Sequence, residues 1–412
     1  MLASVGNAVE SFQPEHLDSL IQVLSLIRKG GATTRPELGR VSQFGRTLLN
    51  QRLTLLEGFG LVEDGALRPS TGGRAAREIA FAADRASILV AVLGGTSIDV
   101  GLAKLDGTVV ARSHESRRVD AGPIAVMNQV VRMFEELLAS AEVRSEVWGL
   151  GIGVPTPVDR STGHPGPTAI VQGWEGYPVR EQLAQHFGVP VWVDNDVNLS
   201  ALGELRAGAA VGIQDALYIK VGHGIGSGII TAGEVSRGAH GYAGNIPHIE
   251  VDHDSDIQCR CGHFGCLEAV AGGRALVQRA DELSGLDWEL SDLLTAAKAG
   301  DPTALELVTF SGRKVGTVLA ALVNFHNPSK IILGGAIPRS SPAFLSTVRE
   351  TVFGRADSLA TQDLDIRLAE VKEYAGLKGA AYLVADSLFD AEYLRKWLPF
   401  GSPIREMAPD AT

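Results

Sequence analysis

The sequence predicts an α/β protein that carries a small winged helix-turn-helix at its N-terminus. Three observations lead there. The first eighty residues show helix, helix, turn, helix and hairpin signals in that order. From about residue 81 onward, apolar strands that end in glycine turns alternate with helical patterns. All three cysteines fall between Cys259 and Cys266, which marks a compact metal motif. We divide the 412 residues into a head, 1–80, and a body, 81–412.

Composition narrows the class. With 45% hydrophobic residues the chain can build a sizeable core. No apolar run reaches membrane-spanning length, and no basic segment followed by an apolar one opens the chain, so a cytoplasmic protein is expected. Unpaired cysteines fit a reducing compartment. The net charge of -11 argues against a chain-wide nucleic-acid surface. It is unevenly spread, however: residues 1–80 carry +1 and the remainder -12. A near-neutral head on an acidic body is compatible with a DNA-binding module.

In the head, Leu17, Leu20, Ile21, Leu24 and Ile27 recur at helical spacing until Gly30-Gly31. Thr34, Pro36 and Glu37 form a helix-start signal. A third helix runs from Arg46 to Glu57, with Leu49, Leu53 and Leu56 on its buried face. Arg46, Thr47, Asn50 and Gln51 lie elsewhere on that helix and suit base edges or phosphates, which makes it the candidate recognition helix. Asp64-Gly65 is read as the hairpin turn, and residues 66–78 as wing and hinge. Arg68 and Arg74 in that stretch are candidate DNA contacts.

The body opens on an apolar strand, Ile88 to Leu93, which runs into Gly94-Gly95-Thr96. A second strand, Ser97 to Lys104, turns at Asp106-Gly107. A helix from about Gly122 to Ala139 precedes the strand Val147–Val154. Two more glycine turns follow, one at Gly222-His223-Gly224 and one at Gly334-Gly335.

Three cysteines cannot pair among themselves without leaving one over, so a disulfide framework explains them poorly. Cys259, Cys261 and Cys266 with one imidazole supply the four ligands of a closed tetrahedral zinc site. His248, His253 and His263 are candidates for the fourth ligand. His248 suits best, because Ile249 and Val251 alternate around it as at a strand end. Four protein ligands leave no open position for water, so the metal is a staple, not a catalyst.

The run Gly241 to His248, with Cys259-Arg260-Cys261-Gly262-His263-Phe264-Gly265-Cys266-Leu267-Glu268, resembles the zinc-binding signature of the ROK family of sugar kinases and sugar-responsive transcriptional repressors. The likeness extends in order from about residue 85 to about residue 388, with the zinc motif at 248–266. The stretches Thr33–Arg40 and Leu56–Val62 are similar to the heads of ROK repressors. The resemblance implies a two-lobed, actin-like ATPase fold in which Gly94-Gly95-Thr96 and Val221–Gly228 are phosphate loops. It implies a sugar site formed by Asn195, Asp196, Asn245, His248 and Glu268, with Asp196 at the general-base position. The Gly163–Gly173 loop and Trp174 would border it, Trp174 either stacking on the sugar or simply packing.

Several residues depart from the family pattern. Active family kinases carry an aspartate two residues before Gly-Gly-Thr, where this chain has Val92. Valine cannot hold magnesium, which takes oxygen ligands. His223 replaces a threonine in the second loop, and Asn245 and Pro247 stand in the family's Gly-Glu-x-Gly-His segment. The expectation is a sugar-responsive repressor that binds operator DNA and does not phosphorylate its sugar, working as a homodimer or homotetramer. Two rivals remain open: an active sugar kinase with an accessory head, and a regulator whose body binds a protein partner.

Overall fold

In the computed structural model the described residues are 14–67, 77–140, 145–159, 161–166 and 173–404. Helices α1 (Pro14–Arg28), α2 (Arg35–Ser42) and α3 (Arg46–Gly58) come first, followed by the antiparallel pair β1 (Val62–Leu67) and β2 (Arg77–Phe81). The start signal of α2 is realised as a full capping box. Thr34 Oγ1 accepts from the Glu37 amide at 3.4 Å, and the Glu37 carboxylate accepts from the Thr34 amide at 3.2 Å. Asp64-Gly65 is not the hairpin turn. Both residues lie inside β1, whose register with β2 shifts between Asp64 and Leu67. Gly65 lets the strands approach closely there, since a Cβ would lie 3.1 Å from that of Glu78. Arg68 and Arg74 fall outside the described residues.

The body is two sheets built to one plan. The first takes β3 (Ser87–Leu93), β4 (Ser97–Lys104) and β5 (Val109–Ser116) as a meander, then adds β6 (Val147–Val154) and β7 (Val191–Asn195) parallel to β3. Helices α4 (Pro123–Ser140), α5 (Val179–Phe187) and α6 (Asp196–Ala207) belong to this half of the chain. The second sheet repeats the scheme with β8 (Ala216–Val221), β9 (Ile225–Thr231) and β10 (Glu234–Ser236) as meander. After α7 (Leu267–Ala271), α8 (Gly273–Ser284), α9 (Leu290–Ala299) and α10 (Pro302–His326) come β11 (Lys330–Gly334), α11 (Ala336–Ser340), α12 (Pro342–Arg355) and β12 (Asp365–Leu368). Strands β11 and β12 are parallel to β8, so the orders β5-β4-β3-β6-β7 and β10-β9-β8-β11-β12 correspond one to one. Asp301 caps α10 at its start, its side chain accepting from the Ala304 amide.

The last helices, α13 (Ala375–Leu388) and α14 (Ala391–Trp397), return to the first sheet. They also join the head to the body. Leu20, Leu24, Leu53 and Leu56 of the head share one continuous core with Trp148, Val384, Leu388 and Trp397. Each such fully buried side chain contributes about 1.5–3 kcal/mol relative to exposure. Phe81 meets Phe389 edge to face at 5.1 Å, and Arg395 pairs with Asp18 at 2.9 Å. The C-terminal extension is therefore the surface on which the head sits.

Candidate functional site

A cleft of about 1040 Å³ opens between the two sheets at the ends of their central strands. Both glycine loops line it, Gly94-Gly95-Thr96 between β3 and β4 and Gly222-His223-Gly224 between β8 and β9. Asn195, Asp196, Asn245 and Glu268 also line it, so four of the five expected sugar residues face one cavity.

Their chemistry differs residue by residue. Asn195 caps α6, its Oδ1 accepting from the amides of Val197 and Asn198 at 3.0 and 3.2 Å. Its Nδ2 donates to the Thr156 carbonyl at 3.1 Å. Asp196 is buried, and its Oδ2 accepts from Lys220 Nζ at 2.7 Å. Burial acts to lower the Lys220 ammonium's pKa, but Asp196 above all, with Tyr218 and Asp99, outweighs it and lifts the value above the ordinary lysine range. Lys220 thus stays charged and holds the carboxylate that the resemblance puts at the general-base position. Sequence reasoning missed it: a lone lysine late in an apolar strand carries no signal until β8 brings it across to the start of α6.

Glu268 stands in the first turn of α7 and accepts from the Ile225 amide at 2.9 Å. It reaches so far over the second loop that a Cβ on Gly224 would lie 2.4 Å from its Oε2. A larger residue there would have to displace the Glu268 carboxylate. Trp174 does not stack in the cleft. It is fully buried, and its indole nitrogen donates to the Val119 carbonyl at 3.2 Å.

Around the first glycine loop, Thr96, Ser97, Asp99, Arg112 and His114 line the cleft, and Val92 does not. Val92 is buried and packs on α13, where a Cβ on Gly376 would lie 3.1 Å from it. Asp99, three residues past Thr96, pairs with His114 at 2.8 Å. The first amides of α8 do not point free, because Gly273 and Arg274 donate to the carbonyls of Gly222 and His223 at 2.9 and 3.0 Å. Burial and the cations Arg274 and Arg118 push the His223 imidazole pKa down, which keeps it neutral.

The metal motif sits beside Glu268. His248 and the three cysteines place their ligand atoms within 4.8 Å of one another. Cys259 Sγ lies 3.5 Å from His248 Nδ1, and Cys261 Sγ lies 3.7 Å from Cys266 Sγ. A tetrahedral ion with bonds of about 2.3 Å to sulfur and 2.0–2.1 Å to nitrogen has edges of about 3.6 and 3.8 Å. The sulfur pair is far beyond the roughly 2.05 Å of a disulfide. Burial, with the two neighbouring thiols, pushes the Cys266 thiol up to about 12; burial acts to raise the Cys261 thiol too, but hydrogen bonds from the backbone and the other thiols outweigh it and hold it below the ordinary thiol range. These four groups can hold a metal ion. His248 arrives on a 3-10 turn, Ile246–His248, not at a strand end, because Pro247 restricts the backbone there. It is the one expected sugar residue that does not line the cleft. His253 instead pairs with Glu250 at 2.7 Å, and His263 is exposed.

On the head, α3 exposes Arg46, Thr47, Asn50 and Gln51 together on a shallow concave surface. Arg52 points the other way, buried against Ser19 Oγ at 2.6 Å.

The family model for the ROK family matches residues 90–387. The chain belongs to the ROK family. A glucokinase of Halalkalibacterium halodurans is 30% identical over 71% of this chain and 93% of its own length. A xylose repressor of Caldicellulosiruptor bescii is 28% identical over 90% of this chain and 96% of its own. The solved structure of a ROK family transcriptional regulator, a homolog of the E. coli MLC protein, superposes with a TM-score of 0.76. At 24% identity, that match covers 92% of this chain and 98% of the other and speaks for the fold alone. A match over 90% of the chain must enter the head, whereas one over 71% fits within the body.

Proposed function

We propose that this ROK protein is a sugar-responsive, DNA-binding transcriptional regulator, a repressor in the first instance, whose cleft binds its sugar without phosphorylating it. The observation that carries the reading is Val92. Phosphoryl transfer needs metal-held phosphates, and an apolar side chain stands where the family kinases have their carboxylate. The Asp196–Lys220 pair supports the same reading, since a carboxylate held by an ammonium is a weak base but a good partner for sugar hydroxyls.

Asn195, Asp196, Asn245 and Glu268 contact the sugar, and His248 orients that wall from the metal side. His248, Cys259, Cys261 and Cys266 hold a structural Zn2+, which supplies cross-linking and charge neutralisation to the loop that carries Glu268. The head is a winged helix-turn-helix. In it Arg46, Thr47, Asn50 and Gln51 of α3 read the operator, and Arg68 and Arg74 of the wing hold phosphates. The regulator acts in the cytoplasm as a homodimer or homotetramer, whose paired heads fit two half-sites. A sugar that prefers one closure of the lobes biases operator affinity by linkage.

The test is calorimetry with D-glucose, D-xylose and N-acetyl-D-glucosamine, paired with binding to duplexes selected from a random DNA library. One of the sugars should bind and shift DNA affinity. Arg46→Ala and Gln51→Ala should weaken DNA binding while sparing sugar affinity. Full DNA binding by both variants would remove α3 from the interface.

A further inference from the structure

We propose that Asp386 is the positioning residue through which the state of the cleft reaches the head; this rests on the sugar-responsive reading above. Helix α6 begins at the cleft, with Asn195 as its cap and Asp196 as its first residue. It then lies between the two sheets. Gly153 of β6 meets Leu199, and Gly226 and Gly228 of β9 meet Val197 and Ala201. Helix α13 starts at the same cleft, which Leu377 lines, and ends under the head. The two helices pack so closely that a Cβ on Gly379 would lie 1.7 Å from the Leu199 carbonyl oxygen. No change in one can fail to press on the other.

Asp386, near the end of α13, divides its carboxylate between two bodies. One oxygen takes Arg28 of the head's first helix at 2.8 Å, and the other takes Arg206 in the last turn of α6. Arg28 is mostly covered, and its guanidinium lies 5.1 Å from the centre of the Phe389 ring, which in turn packs on Phe81. Its buried Nε has no hydrogen-bond partner among the described residues, so the present arrangement leaves it under-satisfied. Arg206 and Asp386 are each more than a third exposed, and such pairs contribute little to stability. A weak, two-armed contact that ties the head's first helix and the end of α6 to one carboxylate is suited to switching. A closure that carries α6 with the second sheet alters Arg206's hold on Asp386, and so the geometry available to Arg28.

The experiment uses the full chain, the tightest-binding of the three sugars above, and the selected duplex. Sugar affinity is measured with and without DNA at one salt concentration. The wild-type protein should show a coupling factor within about 5–150. Arg206→Ala and Asp386→Asn should each bind sugar and DNA separately within about fivefold of wild type, as expected for loss of an exposed ion pair. Their coupling factor should fall to about 1. Arg206→Ala leaves Arg28 on Asp386, so its loss of coupling cannot come from an undocked head. Hydrogen exchange at Leu20–Ile27 checks that docking. Wild-type coupling in both variants would overturn the assignment. A wild-type chain that binds no sugar, or shows no coupling at all, would instead bring down the functional reading beneath it.

Discussion

At one end of the cleft, β7 and the start of α6 deliver Asn195 and Asp196, and α7 delivers Glu268. The first glycine loop adds Thr96 and Asp99 to the lining; Val92, two residues before that loop, is buried against α13, and the amides opening α8 are spent on carbonyls of the second loop. Asn195 and Val92 stand on strands of the same sheet, whereas Glu268 and α8 both meet the second glycine loop. The difference lies in side chains: Asn195 and Asp196 offer polar groups to the cleft, while the valine at position 92 offers no oxygen ligand to the metal that transfer requires. The candidate metal ligands adjoin Glu268, with a single residue between it and Cys266.

The sharpest way to break that contrast is to remove the metal. Chelation should unfold the 248–266 loop, displace Glu268 and abolish sugar binding, while the β3 end keeps its structure. Apparent binding energies of about 10–16 kcal/mol for such sites make this the largest effect. Elemental analysis should find about one zinc per chain, bound more weakly as pH falls because the thiols must lose protons to bind. Intact sugar binding by metal-free protein would separate the motif from the site.

Next in size is Asp196→Ala. It removes hydrogen bonds to a charged group, worth about 1.5–3 kcal/mol, and leaves Lys220 unpaired. Sugar affinity should drop at least tenfold in calorimetry and the DNA response should vanish. DNA affinity without sugar should hold, because α3 and Asp196 do not touch. Unchanged sugar affinity would put the sugar elsewhere.

Much of this was legible in the sequence because it is local. The α2 capping box, the strand ending in Gly94-Gly95-Thr96 and the spacing of Cys259, Cys261 and Cys266 are each set within about ten residues. What stayed hidden is long-range. Lys220 meets Asp196 across 24 positions, and Arg28 meets Asp386 across 358. No periodicity announces such pairs. The hairpin turn was misplaced because Asp64-Gly65 has turn chemistry, while pairing with β2 keeps it extended. The amphipathic pattern of the head's helices does not show what lies against them. Only the folded chain brings Trp397 and Leu388 beneath them.

A smaller effect sharpens the contrast from the other end. Val92→Asp puts a carboxylate into a buried position against Gly376, so it should lower stability by about 1–3 kcal/mol in denaturant titration. Sugar affinity should change little. Turnover should not appear, because Lys220 still holds Asp196 and the amides opening α8 remain engaged. Restored phosphorylation would reduce the contrast between the two ends to one side chain.

The central claim, recognition without transfer, is tested most directly by following ATP consumption with a sugar that calorimetry shows to bind. The account predicts saturable sugar binding with no sugar-dependent ATP loss. Turnover at ordinary kinase rates, roughly 1–100 per second, would contradict it and make the chain a sugar kinase with a DNA-binding head.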